Sequence, residues 1–175
     1  MIKIKSKIIF LFIILSTLLI ACSGEDKSSI DKGDIKELVQ AYTVDELQAE
    51  SASITSTELI VKEEGKSETI FDLPKDEFFV SIAPFINETH PCDIHSLTGC
   101  QGELVEEEFD VKIKDSSGET ILEETKKTEK NGFIDLWLPR DDVYDVEITQ
   151  DGKVTTSEIS TFEGDQTCIT TMQLQ

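Results

Sequence analysis

From Leu59 to Leu174 the apolar residues recur in short runs of period two, each closed by a turn signal. That pattern confines the chain to packed, largely antiparallel β-structure. Leu59-Ile60-Val61, Thr69-Ile70-Phe71 and Phe78-Phe79-Val80-Ser81-Ile82 are separated by Gly65 and Pro74, and Pro84 ends the third run. Phe109, Val111 and Ile113 alternate with charged residues, Ser116-Ser117-Gly118 turns the chain, and Ile121-Leu122 belongs to the next strand. Asn131-Gly132 is a turn signal ahead of Phe133–Leu138, which stops at Pro139. Val143–Thr149 runs into Asp151-Gly152, and strands near Val154–Thr161 and Thr167–Leu174 close the chain. Strands this short, with turns this strong, predict an antiparallel sandwich.

Ahead of the strands the period is helical. Ile35, Leu38, Val39 and Tyr42 fall at i, i+3, i+4 and i+7 on one face. Thr43 and Glu46 read as a capping box opening a second short helix through Leu47. The expected fold class is α+β, mainly β. A small helical or mixed region over 34–70 precedes an antiparallel, sandwich-like, metal-binding domain over 71–175.

Residues 1–21 read as an export signal. Lys3, Lys5 and Lys7 precede an almost wholly apolar run from Ile8 to Ile20, which is short for a membrane span. Leu19-Ile20-Ala21-Cys22 resembles the lipobox of bacterial lipoproteins, which implies cleavage before Cys22 and lipidation of its thiol. An uncleaved signal anchor is the alternative. Residues 22–33 then form a polar, charged tether. The expected location is extracytoplasmic, lipid-anchored at the cell surface or on the periplasmic side. Removal of three lysines and no carboxylate takes the net charge from −20 to −23. So acidic a surface repels phosphate backbones and excludes nucleic-acid binding.

With Cys22 lipidated, Cys92, Cys100 and Cys168 remain, and three thiols cannot all pair within one chain. Two of them lie in the predicted loop over residues 87–103, together with both histidines of the protein, His90 and His95. Thiolate and imidazole are ligands of copper and zinc, and soft sulfur favours cuprous copper. The Cys-x2-His-x4-Cys spacing lets one loop turn its donors toward a common centre, helped by Gly99 and Gly102. Cys168 can join them only through the sheet. A structural disulfide with one thiol left over explains the same residues equally well. A closed zinc site is a third reading and a thiol-hydrolase pair a weaker fourth. Met172 and Trp137 read as filler and core, Asn87-Glu88-Thr89 as an unused glycosylation pattern, and Glu106-Glu107-Glu108 as a solvated face.

Four segments, Phe78–Pro84, Thr89–Leu104 (THPCDIHSLTGCQGEL), Asn131–Arg140 (NGFIDLWLPR) and Thr167–Leu174 (TCITTMQL), resemble the CueP family of periplasmic copper-binding, copper-resistance proteins. The resemblance implies a small N-terminal domain and a β-rich C-terminal domain carrying the metal. It implies copper coordination by Cys92, Cys100 and Cys168, with His95 beside them and His90 also matching the motif. Cuprous copper is favoured, cupric copper stays open, and zinc is the alternative. The implied work is to hold copper outside the cytoplasm, with reduction of cupric ion and delivery to a copper-accepting protein, fed by a thiol reductant, as further expectations. Cys22 departs from the soluble family members and adds a membrane tether.

Overall fold

The structure is a computed structural model and describes residues 34–175. The export signal, Cys22 and the tether lie outside the described residues. Among those described, no helix is long and apolar enough to cross a membrane.

One helix, α1 (Ile35–Thr43), opens the described chain. Asp34 caps it, its side chain accepting from the backbone N–H groups of Lys36 (3.0 Å) and Glu37 (3.4 Å). Its apolar stripe buries Leu38, Val39 and Tyr42. The second helix expected from Thr43 and Glu46 is absent. Thr43 is the last residue of α1 rather than a cap, and Asp45 adopts a left-handed φ of 62° that turns the chain away. The Thr43 hydroxyl donates to Asp135 across the fold instead (3.0 Å).

Eleven strands follow: β1 (Ser51–Ile54), β2 (Glu58–Lys62), β3 (Thr69–Asp72), β4 (Glu77–Ile82), β5 (His95–Ser96), β6 (Glu108–Lys114), β7 (Thr120–Lys127), β8 (Ile134–Pro139), β9 (Val143–Gln150), β10 (Lys153–Ser160) and β11 (Cys168–Ile169). They form three sheets with orders β3-β2-β1-β5, β10-β9-β6-β7 and β11-β4-β8. The three-stranded sheet is the middle layer. Phe78, Val80 and Ile82 of β4, with Ile134, Leu136 and Leu138 of β8, pack against Phe109, Val111 and Ile113 of β6 and Tyr144, Val146 and Ile148 of β9. That contact is the expected sandwich. On the opposite face, Phe79 and Trp137 meet α1 and the β1–β2 hairpin through Leu38, Tyr42, Ile54 and Leu59. β4 therefore has no solvent side from Phe78 to Ile82, which is why that stretch is apolar at every position but Ser81. Met172 fills the sandwich core, as its sequence context predicts.

Two features depart from the plan expected of the sequence. The loop over 87–103 contains a two-residue strand, β5, which pairs with β1 through His95 opposite Ile54. The C-terminal segment runs parallel to β4, with Cys168 opposite Ser81 and Phe85 bridged to Gln173. Both departures position cysteines.

Candidate metal centre

The parallel pairing gives the sheet its part in the site. Residues at paired positions leave a sheet from one face. Phe79, Ser81 and Ala83 alternate with the sandwich residues of β4, so Cys168, opposite Ser81, projects toward the side covered by the loop. Cys168 packs there with Ala83, Phe133, Cys100 and Cys92 in a small apolar cluster. The loop is pinned from both directions. The Asp93 carbonyl accepts from the backbone N–H groups of Thr167 (3.0 Å) and Cys168 (3.3 Å), and Gln166 donates to the Asp93 carboxylate. The buried Thr167 hydroxyl accepts from the His95 N–H (3.0 Å) and donates to the Ile54 carbonyl (2.6 Å). One side chain thus joins β5, β1 and the start of β11.

The three sulfurs of Cys92, Cys100 and Cys168 lie within 4.8 Å of one another. Cys92 and Cys168 are in disulfide contact with Cα atoms 5.6 Å apart, and the free Cys100 thiol lies 3.4 Å from the Cys92 sulfur. Of the pairings open to the sequence, Cys92 with Cys168, which bridges loop and sheet, is found. Burial pushes the Cys100 thiol up, partly opposed by the Ser96 N–H that donates to its sulfur (3.3 Å). A soft ion held by all three sulfurs matches this geometry once the disulfide is reduced.

The histidines stand apart from that group, which includes no imidazole nitrogen. His95 is fully buried, its ring 4.6 Å from that of Phe133 and 6.1 Å from that of Phe79. Neither ring nitrogen has a hydrogen-bond partner, and burial takes its pKa down to about 4. His90 is partly buried, its ring 6.3 Å from Phe133 and its Nδ1 without a partner.

Gly102 serves a close approach rather than a bend. A Cβ there would meet the Gly132 carbonyl oxygen at 2.5 Å, where the Gly102 N–H reaches the Asn131 carbonyl (2.7 Å). Gly132, at φ 78°, meets the Gly102 backbone just as tightly. The loop after Cys100 is thereby locked to the turn before β8.

Two carboxylates escape notice in the sequence. Glu103, three residues after Cys100, accepts from the N–H groups of Ile86 (2.6 Å), Asn87 (2.9 Å) and Glu88 (3.3 Å) and from the Asn87 side chain (2.9 Å). These donors hold its carboxyl down at about 2. It clips the entry of the cysteine loop to its exit. Replacing Glu103 by Gln is expected to speed amide hydrogen exchange at residues 86–88 by about tenfold while leaving β4 protected, since the clip holds a local element and not the core. Residue-resolved exchange measures this.

Asp135 is the second. Burial raises its carboxyl to about 6, with Glu129 adding to the rise, against the hydroxyl donors of Ser81 and Thr43. Asp135 and His95 oppose each other as the pH falls. The folded imidazole resists the proton that the unfolded one takes near 6.5, so acidification through 6.5 toward 4 removes about 3 kcal/mol of stability. The folded carboxyl binds a proton before the unfolded one does. Its contribution is present below 3.8 and lost as pH rises through about 6, again about 3 kcal/mol. Relative to the parent, Asp135→Asn is expected to steepen the loss of stability from pH 6.5 to 4, and His95→Phe to lessen it. Urea unfolding at each pH reads both slopes.

The family model for the periplasmic copper-binding protein CueP matches residues 34–173. The crystal structure of S.CueP is similar at a TM-score of 0.77 and 36% sequence identity, over 83% of this chain and 91% of that one. No curated protein matches. The match runs from α1 past the third cysteine; the chain belongs to the CueP family.

Proposed function

We propose that this protein binds copper outside the cytoplasm, holding a cuprous ion between the sulfurs of Cys92, Cys100 and Cys168. The observation that carries this reading is the convergence of three thiol sulfurs, from two distant segments, within 4.8 Å. Membership of a family described as periplasmic and copper-binding supports the choice of metal and compartment. Three sulfurs with no hard oxygen ligand suit cuprous rather than cupric ion. His95, buried and lacking partners on both nitrogens, is a candidate further ligand or proton carrier, and the His90 ring lies 6.3 Å from the same Phe133 ring. Cys22 anchors the protein by lipid in this reading, so copper is held near the membrane surface.

A redox step accompanies binding. Two thiols give up two electrons and two protons, reduce two cupric ions to cuprous, and become a disulfide. The contact between Cys92 and Cys168, with Cys100 alongside, favours that pair as the electron source. A thiol reductant restores the site, and a copper-accepting protein removes the cargo.

Metal analysis with a thiol count tests the reading. The reduced protein is expected to carry one cuprous ion per chain, and the oxidised protein to lose it. Retention of zinc in preference to copper, or a single reactive thiol with no metal affinity after reduction, would leave a zinc- or disulfide-braced sandwich instead.

A further inference from the structure

The sheet β10-β9-β6-β7 ends in two strands of eight residues each, β10 and β7. The end of the chain covers the start of the β10 edge, where Val154 and Gln175 exchange backbone hydrogen bonds (3.1 and 3.4 Å). Among the described residues, no strand pairs with the outer edge of β7. A row of N–H and C=O groups of that length is a template for another strand. Charged side chains on an edge commonly repel newcomers, and β7 carries Glu123, Glu124, Lys126 and Lys127. Repelling a copy of the same strand takes charges of one sign. Here two acids precede Thr125 and two lysines follow it.

Symmetry then selects the register. Two copies of one strand pair antiparallel about a two-fold axis normal to the sheet, and residues facing each other project from the same side. Leu122, Glu124 and Lys126 lie opposite Ile113, Val111 and Phe109 of β6 and share the sandwich side. Glu123, Thr125 and Lys127 lie opposite Lys112, Asp110 and Glu108 on the outer side. A register centred on Glu123 or Glu124 sets carboxylates against each other on the axis, and one centred on Lys126 does the same with ammonium groups. Centred on Thr125, Glu123 faces Lys127 of the second copy on the outer side, and Glu124 faces Lys126 of the second copy on the sandwich side. Each contact occurs twice, so all four directly opposed charge pairs are of opposite sign.

We infer that β7 is a self-association edge, through which two copies of this chain join into one continuous eight-stranded sheet centred on Thr125. The side chains are available for it. Within the chain Glu123 pairs with Lys112 (3.0 Å), Glu124 with Lys126 (2.7 Å) and Lys127 with Glu106 (3.6 Å), yet the four stay 34% to 63% exposed, and each has room for a second partner. Thr125 is exposed and uncharged, and threonine opposite threonine is a favourable cross-strand pair. The sulfur cluster lies on the far side of the middle sheet, so this pairing does not cover it.

Copies with a net charge of −20 repel each other, and salt screens that repulsion as well as the four pairs. Salt dependence therefore decides nothing, and the test exchanges the charges instead. Sedimentation equilibrium of the full oxidised chain in density-matched detergent is expected to show a monomer–dimer equilibrium with a Kd of about 100 µM, as suits an interface at the small end of the range. Glu123→Lys with Glu124→Lys leaves four lysines on the edge, and Lys126→Glu with Lys127→Glu leaves four glutamates. Each variant alone should dimerise at least about 100-fold more weakly, and their equimolar mixture should recover about the parental affinity. A misfolded strand would not give that recovery. Carbodiimide coupling of carboxylates to amines, in a mixture of ordinary and heavy-isotope-labelled parent chains, should yield mixed-isotope Glu123–Lys127 and Glu124–Lys126 crosslinks. A parent still monomeric at about 1 mM, a dimer persisting in either variant alone, a mixture that stays monomeric, or mixed-isotope crosslinks only at other residues overturns the inference.

Discussion

Cys168→Ser is expected to lower cuprous affinity by more than about 100-fold in competition with a chromophoric cuprous chelator. Residues that merely orient a ligand already contribute about 10- to 100-fold to metal affinity, and loss of a ligand costs more. A serine hydroxyl is a hard, weakly acidic donor that does not replace a thiolate on a soft ion. The fold should tolerate the change, because serine keeps the backbone ladder position of Cys168 opposite Ser81. Far-ultraviolet circular dichroism of the variant should therefore match that of the parent. Cys100→Ser should lower affinity by a similar factor while leaving the Cys92–Cys168 disulfide able to form. Parent-like affinity in Cys168→Ser would show that the copper is held elsewhere.

Reduction of the disulfide is expected to lower the stability of the metal-free protein by about 4 kcal/mol. The crosslink joins residues separated by 76 positions, and closing a loop of that length restricts the unfolded chain by about that amount. Paired urea unfolding curves with and without reductant read the difference. In Cys92→Ser the difference should vanish. A cuprous ion bound by the reduced protein ties the same two segments together, so copper should restore much of the lost stability, in proportion to the logarithm of its free concentration. A reduced chain as stable as the oxidised one would show that β11 is held by its ladder and by Thr167 alone.

Much of this arrangement was legible in the residues. The period-two runs became strands, and the stretch Phe78–Ile82, apolar but for Ser81, became a strand buried on both faces. The convergence of Cys168 with Cys92 and Cys100 was an expectation from resemblance and chemistry, since nothing in the 67 residues between Cys100 and Cys168 states which strands become neighbours. The second helix failed because the signal at Thr43 and Glu46 is local, whereas the Thr43 hydroxyl finds its partner on β8. β5 is only two residues long and carries no period. Glu103 and Asp135 were hidden for a similar reason: a carboxylate in a polar loop or an alternating strand looks solvated until the backbone around it is known. Gly102 was noticed for the wrong property, its flexibility, when its missing side chain is what lets two backbones touch.

The parallel entry of β11 also orders events in time. A chain made from its amino terminus presents Cys92 and Cys100 eight residues apart long before residue 168 exists. The observed bridge therefore waits for the last strand to dock, whereas the partner eight residues away is at hand from the start. Were the small ring between Cys92 and Cys100 to close first, a thiolate from Cys168 attacking the Cys92 sulfur would expel Cys100 and leave the bridge and the neighbouring free thiol that the structure holds.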